Sequence, residues 1–170
     1  MPLTPEEYEQ YSRQLILPGF GAVAQEKLKQ AKVLVVGAGG LGCPVLKYLT
    51  AAGVGKIGIV DDDVVSVSNL HRQVLYGSDD IGKPKVAIAQ EKLLQQNPNI
   101  QIEIFQQNIT SQNALQIIPG YDIVVDGTDN FPAKYLLNDA CVISNKILVY
   151  GSILRFEGQV SVFNHQTKIN

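Results

Sequence analysis

Three glycines in the segment "GAGGLG" have the spacing of a phosphate-binding turn. Gly37, Gly39 and Gly42 fit the pattern G-x-G-x-x-G, and Asp61 follows at the distance of the ribose-binding acid in such proteins, about 20 residues on. The first glycine lets the chain turn tightly, the second lets phosphate approach the backbone, and the third lets a helix pack closely on a strand. The segment therefore predicts nucleotide binding, but it does not distinguish NAD from ATP.

Cationic side chains further along the chain could bind additional phosphates. Pro84 is typical of the first turn of a helix, which places Lys83 and Lys85 at a helix N-terminus. Cations at that position oppose the helix dipole unless an anion lies nearby. We interpret Lys85, together with Arg72, as a phosphate contact, and Lys83 as a solvated lysine.

Asp129 and Asn130 precede the predicted helix "FPAKYLLN", and either side chain could cap it. One cap is enough, so one side chain is left over where a strand ends. A Mg²⁺ ion that bridges phosphates takes one or two carboxylates plus waters. A triphosphate with magnesium accounts for the spare carboxylate and the cations together, which favours ATP over NAD.

The elements that must position these residues alternate between strand and helix. Strands are predicted over 32–37, 56–61, 100–106, 122–127 and 147–152, with helices over 44–53, 83–97, 111–119 and 132–145. This order predicts an α/β, Rossmann-like fold of three layers, with a mainly parallel sheet and helices on both faces. Ligands of such sheets bind outside the carboxyl ends of the strands, where the three loops that carry Asp61, Lys85 and Asp129 lie.

Two further segments lie outside the alternating pattern. Helices over about 5–14 and 20–30 form an N-terminal arm over residues 1–30, and the segment "RFEGQVSVF" reads as an antiparallel strand at one edge. Because the arm precedes the first strand, we expect it to have no fixed place in its own sheet. The nucleotide-binding domain is predicted over 31–170, and its polar end "NHQTKIN" suggests that the domain continues further.

The composition, 45% apolar and 18% charged, is that of an ordinary globular protein. A net charge of −2 gives no reason to expect a bulk nucleic-acid or anionic-membrane partner. The first residues lack a signal-peptide layout and no apolar stretch is long enough to span a bilayer, so we expect a cytoplasmic protein. Cys43 and Cys141 lie in apolar surroundings and are predicted to be reduced core residues.

Six segments resemble, in order, the signature segments of the MoeB/ThiF/HesA adenylyltransferases, relatives of ubiquitin-activating enzymes. They are "YSRQ", "GAGGLG", "DDDVVSVSNLHRQ", "GKPK", "DGTDN" and "RFEGQVSVF", and they run from residue 8 to residue 163 or close to it. The resemblance implies that Mg·ATP adenylates the C-terminal Gly-Gly carboxylate of a small ubiquitin-like sulfur-carrier protein. The products would be an acyl-adenylate, used in molybdopterin or thiamine sulfur transfer, and pyrophosphate.

The resemblance also implies roles for individual residues. Arg13 would reach the phosphates of a neighbouring subunit, which implies a homodimer, and Asp129 would hold the magnesium ion. The residues expected to act in catalysis are Arg13, Arg72, Lys85 and Asp129. The residues expected to bind the nucleotide are Gly37, Gly39, Gly40, Gly42, Asp61, Ser68, Asn69, Leu70, His71, Arg72, Gln73, Lys85, Asp129 and Asn130.

Two features of the resembling family are not found in this sequence. Its members commonly hold structural zinc through two Cys-x-x-Cys pairs beyond the last matched segment, and some carry a later reactive cysteine. Zinc would therefore need residues beyond this chain. Two alternative functions stay open: a catalytically silent nucleotide-binding fragment, and an NAD-dependent oxidoreductase, which would leave Arg72, Lys85 and Asp129 without a role.

Overall fold

A computed structural model describes residues 2–164 of the chain, in which six strands form one sheet. The strands are β1 Lys32–Val36, β2 Lys56–Val60, β3 Gln101–Phe105, β4 Ile123–Asp126, β5 Ile147–Leu154 and β6 Glu157–Phe163. Their order is β3-β2-β1-β4-β5-β6, with β1 to β5 parallel and β6 antiparallel to β5. This confirms the predicted mainly parallel sheet and its antiparallel edge strand. The segment 165–170, which we expected to lead into further chain, lies outside the described residues.

Helices connect the strands and precede the first of them. They are α1 Pro5–Gln10, α2 Ser12–Leu15, α3 Gly21–Gln30, α4 Gly42–Ala52, α5 Lys85–Gln96, α6 Ala114–Ile117 and α7 Phe131–Ser144. Short 3₁₀ segments cover Val67–Asn69, Ser78–Asp80 and Ile118–Gly120. Helix α5 begins two residues later than predicted, because the Lys83 carbonyl accepts a hydrogen bond from the Val65 amide across a short bridge. Lys83 is therefore not part of the helix N-terminus, and its side chain is exposed, as expected.

Alternate residues of β1 face opposite sides of the sheet. Val33 and Val35 pack in one core with α4 and α5, whereas Leu34 and Val36 pack in another with α6 and α7. This is the period of two expected for a strand buried on both faces, and it confirms the three-layer arrangement. Cys43 lies in the first core and Cys141 in the second, both as buried free thiols. Burial raises the pKa of Cys141 to about 11, which keeps it a neutral thiol.

The N-terminal arm contributes no strand to the sheet, as expected, but contacts with the helices and loops of its own domain hold it in place. Tyr11 is buried, and its hydroxyl oxygen accepts a 2.8 Å hydrogen bond from the Asn97 amide, just after α5. The side-chain amide of Gln25 donates to the carbonyl of Ala52, the last residue of α4, over 2.9 Å. The Gly55 amide, directly before β2, donates to the carbonyl of Leu28 in α3. All these contacts lie at the amino ends of the strands.

None of the helices in the described part of the chain has the length and apolar character needed to cross a membrane.

Candidate nucleotide-binding site

A cavity of about 700 Å³ opens at the carboxyl ends of the strands. Because β1 lies between β2 and β4, the connections that leave β1 and β4 run to opposite faces, and a crevice opens between them. Most lining residues come from the loops after β1, β2, β3 and β4, and the others lie in β5, at the ends of β1 and β2, and in the first turns of α5 and α7. The cavity therefore lies at the edge of the sheet where the sequence predicts a ligand site.

The cavity brings together most of the residues predicted to bind the nucleotide. Those on its wall are Gly37, Gly39, Gly40, Asp61, Asn69, Arg72, Gln73, Lys85, Asp129 and Asn130. Those away from it are Arg13, Gly42, Ser68, Leu70 and His71. Leu70 packs against the core beside α4 and α5, and the His71 ring nitrogen Nε2 lies 2.9 Å from Nη1 of Arg72. The Ser68 carbonyl accepts a hydrogen bond from the same guanidinium over 3.1 Å.

The first and third glycines of the motif are required by packing within the protein. Gly37 has a φ of +93°, and a Cβ there would lie 2.7 Å from the carbonyl oxygen of Gly127, directly after β4. A Cβ on Gly42 would lie 1.8 Å from the carbonyl oxygen of Gly37. These contacts agree with a tight turn at Gly37 and close helix packing at Gly42, the two roles that the spacing predicts.

The two middle glycines are not required by the protein's own packing. A Cβ on Gly39 would meet the Gln73 side chain at 3.5 Å, and one on Gly40 would meet the Arg72 side chain at 3.6 Å, both ordinary contact distances. Both glycines line the cavity. A ligand that touches the backbone at this point would explain why side chains are missing there.

Alanine substitutions should separate these two kinds of glycine. Because a methyl group on Gly42 would overlap a backbone oxygen, we expect Gly42→Ala to lower the free energy of unfolding by about 3 kcal/mol. Gly39→Ala, the matched control, should stay within about 0.5 kcal/mol of the parent protein. Urea unfolding followed by circular dichroism measures both. Equal losses for the two variants would show that the contact at Gly42 relaxes freely.

The carboxylate of Asp61 is held in place by two backbone amides. Its Oδ2 accepts from the amide of Ala38 in the glycine turn over 2.7 Å, and its Oδ1 accepts from the Asp63 amide over 2.9 Å. Burial is the largest influence and raises the pKa of Asp61 above its usual value. The Tyr76 hydroxyl donates to the Ala38 carbonyl over 2.9 Å, so the glycine turn is bound from both sides. The acid is therefore oriented towards the cavity before any ligand arrives.

Lys85 is the first residue of α5, and its side chain is buried against an acid that the sequence reasoning missed. Its Nζ lies 2.8 Å from Oδ2 of Asp63, and its backbone amide donates to the Asp63 carbonyl over 3.0 Å. The side chain of Lys85 is 4% exposed. No sequence signal distinguishes Asp63 from its neighbours Asp61 and Asp62, because the contact depends on a bridge between Val64 and Pro84.

Of the two cap candidates after β4, the structure shows that Asn130 caps the helix and that Asp129 is left over. The Asn130 Oδ1 accepts from the Ala133 amide over 3.0 Å and caps α7. Asp129 is exposed on the cavity wall, and its carboxylate has no hydrogen-bond or ion-pair partner within residues 2–164. An unpaired carboxylate beside a phosphate site is a suitable ligand for Mg²⁺.

A buried ion pair supports the loop that carries Asp129. The buried Asp126 accepts two hydrogen bonds from Thr128, at 2.9 Å from the amide and 2.6 Å from the hydroxyl. Lys134 lies 3.1 Å from the other oxygen of Asp126 and donates to the Gly151 carbonyl over 2.8 Å. No sequence pattern indicates this pair, because a lysine in the first turns of a helix is ordinarily solvated.

A second group of acids could in principle hold a cation. Carboxylate oxygens of Asp61, Asp62 and Asp63 lie within 4.8 Å of one another. However, Asp61 already accepts two amide hydrogen bonds and Asp63 already pairs with Lys85. Asp129 is therefore the better ligand for a divalent ion.

Residues 11–169 match the ThiF family along nearly the whole chain. The chain belongs to the ThiF family. The resemblance to the MoeB/ThiF/HesA adenylyltransferases seen in the sequence is thereby confirmed.

Curated relatives within this family are adenylyltransferases. The sulfur carrier protein adenylyltransferase of Thermus thermophilus is 56% identical over 167 residues, which cover 98% of this chain and 62% of that protein. The probable adenylyltransferase/sulfurtransferase MoeZ of Mycobacterium tuberculosis is 52% identical over 161 residues, which cover 95% of this chain and 41% of that protein. The chain thus spans about two fifths to three fifths of the length of these ThiF-family relatives.

Solved structures of other proteins share the fold. E. coli MccB with MccA-N7isoASN is 31% identical with a TM-score of 0.86, over 94% of this chain and 48% of that one. E. coli tRNA N6-threonylcarbamoyladenosine dehydratase, TcdA, in complex with ATP is 27% identical with a TM-score of 0.84, over 88% of this chain and 61% of that one.

Proposed function

We propose that the chain is the nucleotide-binding part of an adenylyltransferase that uses Mg·ATP. Its substrate is the C-terminal Gly-Gly carboxylate of a small ubiquitin-like sulfur-carrier protein, activated for molybdopterin or thiamine sulfur transfer. The names of the curated relatives support the reaction class. The observation that carries the proposal is the unpaired Asp129 carboxylate in the same cavity as Arg72 and Lys85.

The proposed reaction requires positioning and charge neutralisation rather than a protein nucleophile. An oxygen of the carrier's carboxylate forms a bond to the α-phosphorus. The bond from that phosphorus to the oxygen bridging the α- and β-phosphates breaks, and pyrophosphate leaves with the electron pair. The attacking carboxylate is already deprotonated at neutral pH, so the step needs no general base.

The residues of this chain have separate roles in that step. Asp61 binds the ribose hydroxyls, the Gly39–Gly40 backbone lies against the phosphates, and Lys85 and Arg72 neutralise phosphate charge. Asn69 and Gln73 line the same region, and Asn130 holds the loop after β4 in place. Asp129 would hold Mg²⁺, which neutralises charge on the triphosphate when bound.

Arg13 is proposed to act in the cavity of a second subunit. It lies on α2, and the arm is anchored at the amino ends of the strands, opposite the cavity. It therefore cannot serve the cavity of its own subunit without releasing these contacts. Ile16 and Leu17 nearby are 73% and 54% exposed, an apolar surface suited to a homodimer contact. The arm over 1–30, the domain over 31–170 and the cytoplasmic location stay predictions.

Pyrophosphate exchange tests the proposed activity. The chain should incorporate labelled pyrophosphate into ATP when a matching carrier protein ending in Gly-Gly is added from a panel of such carriers. A carrier with its last glycine removed is the control and should give no exchange. Exchange with none of the carriers would favour the second candidate, a catalytically silent nucleotide-binding fragment.

Titration calorimetry should show that Mg·ATP binds more tightly than NAD. Two cations and an unpaired carboxylate suit a triphosphate with magnesium, whereas a dinucleotide has two phosphates and needs no metal. We expect a preference of at least about tenfold, since hydrogen bonds to charged groups contribute about 1.5–3 kcal/mol each. Tighter binding of NAD would contradict both the nucleotide and the reaction class.

A further inference from the structure

The two side chains of the ion pair between Lys85 and Asp63 differ in their exposure to solvent. The side chain of Lys85 is 4% exposed, whereas that of Asp63 is 66% exposed. Both line the cavity in which the triphosphate is proposed to bind. A buried ammonium needs an anion beside it, and within residues 2–164 its ion-pair partner is Asp63, with the Asp61 carboxylate near enough to interact with it electrostatically.

The backbone holds the pair together independently of its charges. The Lys85 amide donates to the Asp63 carbonyl over 3.0 Å, and Val64 forms a bridge with Pro84. The Asp63 amide in turn donates to the Asp61 carboxylate over 2.9 Å. The backbone of Asp63 is therefore fixed beside both the ribose-binding acid and the phosphate-binding lysine. Only its exposed side chain can move without breaking these contacts.

Phosphate oxygens and the Asp63 carboxylate require the same ammonium group. We propose that Asp63 is the counter-ion of Lys85 when no nucleotide is bound. Triphosphate oxygens displace the Asp63 carboxylate from Lys85 on binding, and the ion pair forms again as pyrophosphate leaves. The inference rests on the proposed function, because it assigns Lys85 to the phosphates of ATP. Asp63 thus acts as a positioning residue that weakens the binding of triphosphate and of pyrophosphate alike, and so speeds product release.

Removing the Asp63 charge should therefore tighten binding. In Asp63→Asn the ammonium of Lys85 has lost its ion-pair partner, and a triphosphate no longer has to displace that carboxylate. We expect Mg·ATP to bind about tenfold tighter by calorimetry, and pyrophosphate to inhibit at about tenfold lower concentration. Without ligand the variant should unfold at a lower temperature than the parent chain. A role in structure alone would leave binding unchanged or weaken it.

Asp62→Asn is the matched control. It removes the same charge from the next residue, whose carboxylate is hydrogen-bonded to Asn108 rather than to Lys85. The Asp62 carboxylate also lines the cavity but forms no ion pair with Lys85. The affinity of this variant for Mg·ATP should therefore stay within about twofold of the parent. Asp63→Asn is also made in a chain that carries Lys85→Met. In that chain, removing the Asp63 charge should change the affinity for Mg·ATP no more than Asp62→Asn changes it in the parent chain.

The outcomes separate this inference from the proposed function. If the parent chain binds Mg·ATP and Asp63→Asn binds it no more tightly than Asp62→Asn, the counter-ion role is wrong and the proposed function stands. Equal tightening with and without Lys85 would also overturn the role. A parent chain that does not bind Mg·ATP overturns both. If Asp63→Asn does not fold, Asp63→Ser takes its place. Failure of both to fold even with Mg·ATP would make the pair structural and end the proposal.

Discussion

Asp129→Ala should abolish pyrophosphate exchange in a domain that remains folded. The Asp129 carboxylate is exposed and has no partner within residues 2–164, so its removal should cost less than about 0.5 kcal/mol of unfolding free energy. Loss of a magnesium ligand, in contrast, removes charge neutralisation from the transferring phosphate, and we expect at least about a thousandfold loss of exchange rate. Urea unfolding and the exchange assay measure the two effects on the same preparation.

Asn130→Ala provides the stability control for this experiment. It removes the 3.0 Å hydrogen bond to the Ala133 amide that caps α7, and a lost cap costs about 1 kcal/mol. Asp129→Ala should therefore be the more stable variant of the two. Normal exchange by well-folded Asp129→Ala protein would refute the magnesium role, and a stability loss at Asp129 larger than that at Asn130 would reverse our assignment of the cap.

Mixing two inactive variants should restore activity if Arg13 acts across a dimer. Arg13→Ala and Asp129→Ala homodimers each lack one required group at both sites. A mixed dimer has one site without either group and one site with both, since Arg13 comes from the opposite subunit. Random exchange of equal amounts makes about half of the dimers mixed, so we expect about a quarter of the parent activity. Pyrophosphate exchange after subunit exchange measures this recovery.

The control for complementation is an exposed cation elsewhere on the arm. Lys27 in α3 is exposed and has no ion pair within the described residues, so Lys27→Ala should be active on its own. Subunit exchange is verified by mass spectrometry of differently labelled chains. If subunits exchange and activity stays at zero, Arg13 does not act across the interface. An active Arg13→Ala homodimer would remove the residue from the site altogether.

The sequence predicted the location of the site because that location follows from topology. Alternating strands and helices imply a parallel sheet, and parallel strands end at one edge. Asp61 after β2 and Asp129 after β4 therefore had to be near the glycine turn after β1, and the cavity contains all three. The sequence also indicated that one of Asp129 and Asn130 caps α7 and leaves the other over, and the structure shows that the cap is Asn130.

The contacts that the sequence did not reveal join segments far apart in the chain. Nothing near Asp63 indicates that a bridge from Val64 to Pro84 brings Lys85 beside it. Likewise, Tyr11 is bound by Asn97, which lies 86 residues away, and this contact holds the arm against its own domain, which the sequence did not indicate. Periodicity and motif spacing report on neighbours within a helix or strand, whereas such pairs are decided by tertiary packing.

The position of β1 between two cores has a consequence for how ligand binding would be detected. Its backbone amides are covered by β2 and β4 at the sides and by a core on each face, so they can exchange with solvent only when both cores open. The strand runs directly into Gly37 on the cavity wall. A nucleotide that binds at that turn in the folded chain stabilises the whole domain, by an amount that rises with the logarithm of its concentration once this exceeds Kd. Deuterium uptake in β1 thus measures the free energy of ligand binding, although the strand itself touches the ligand only at its end.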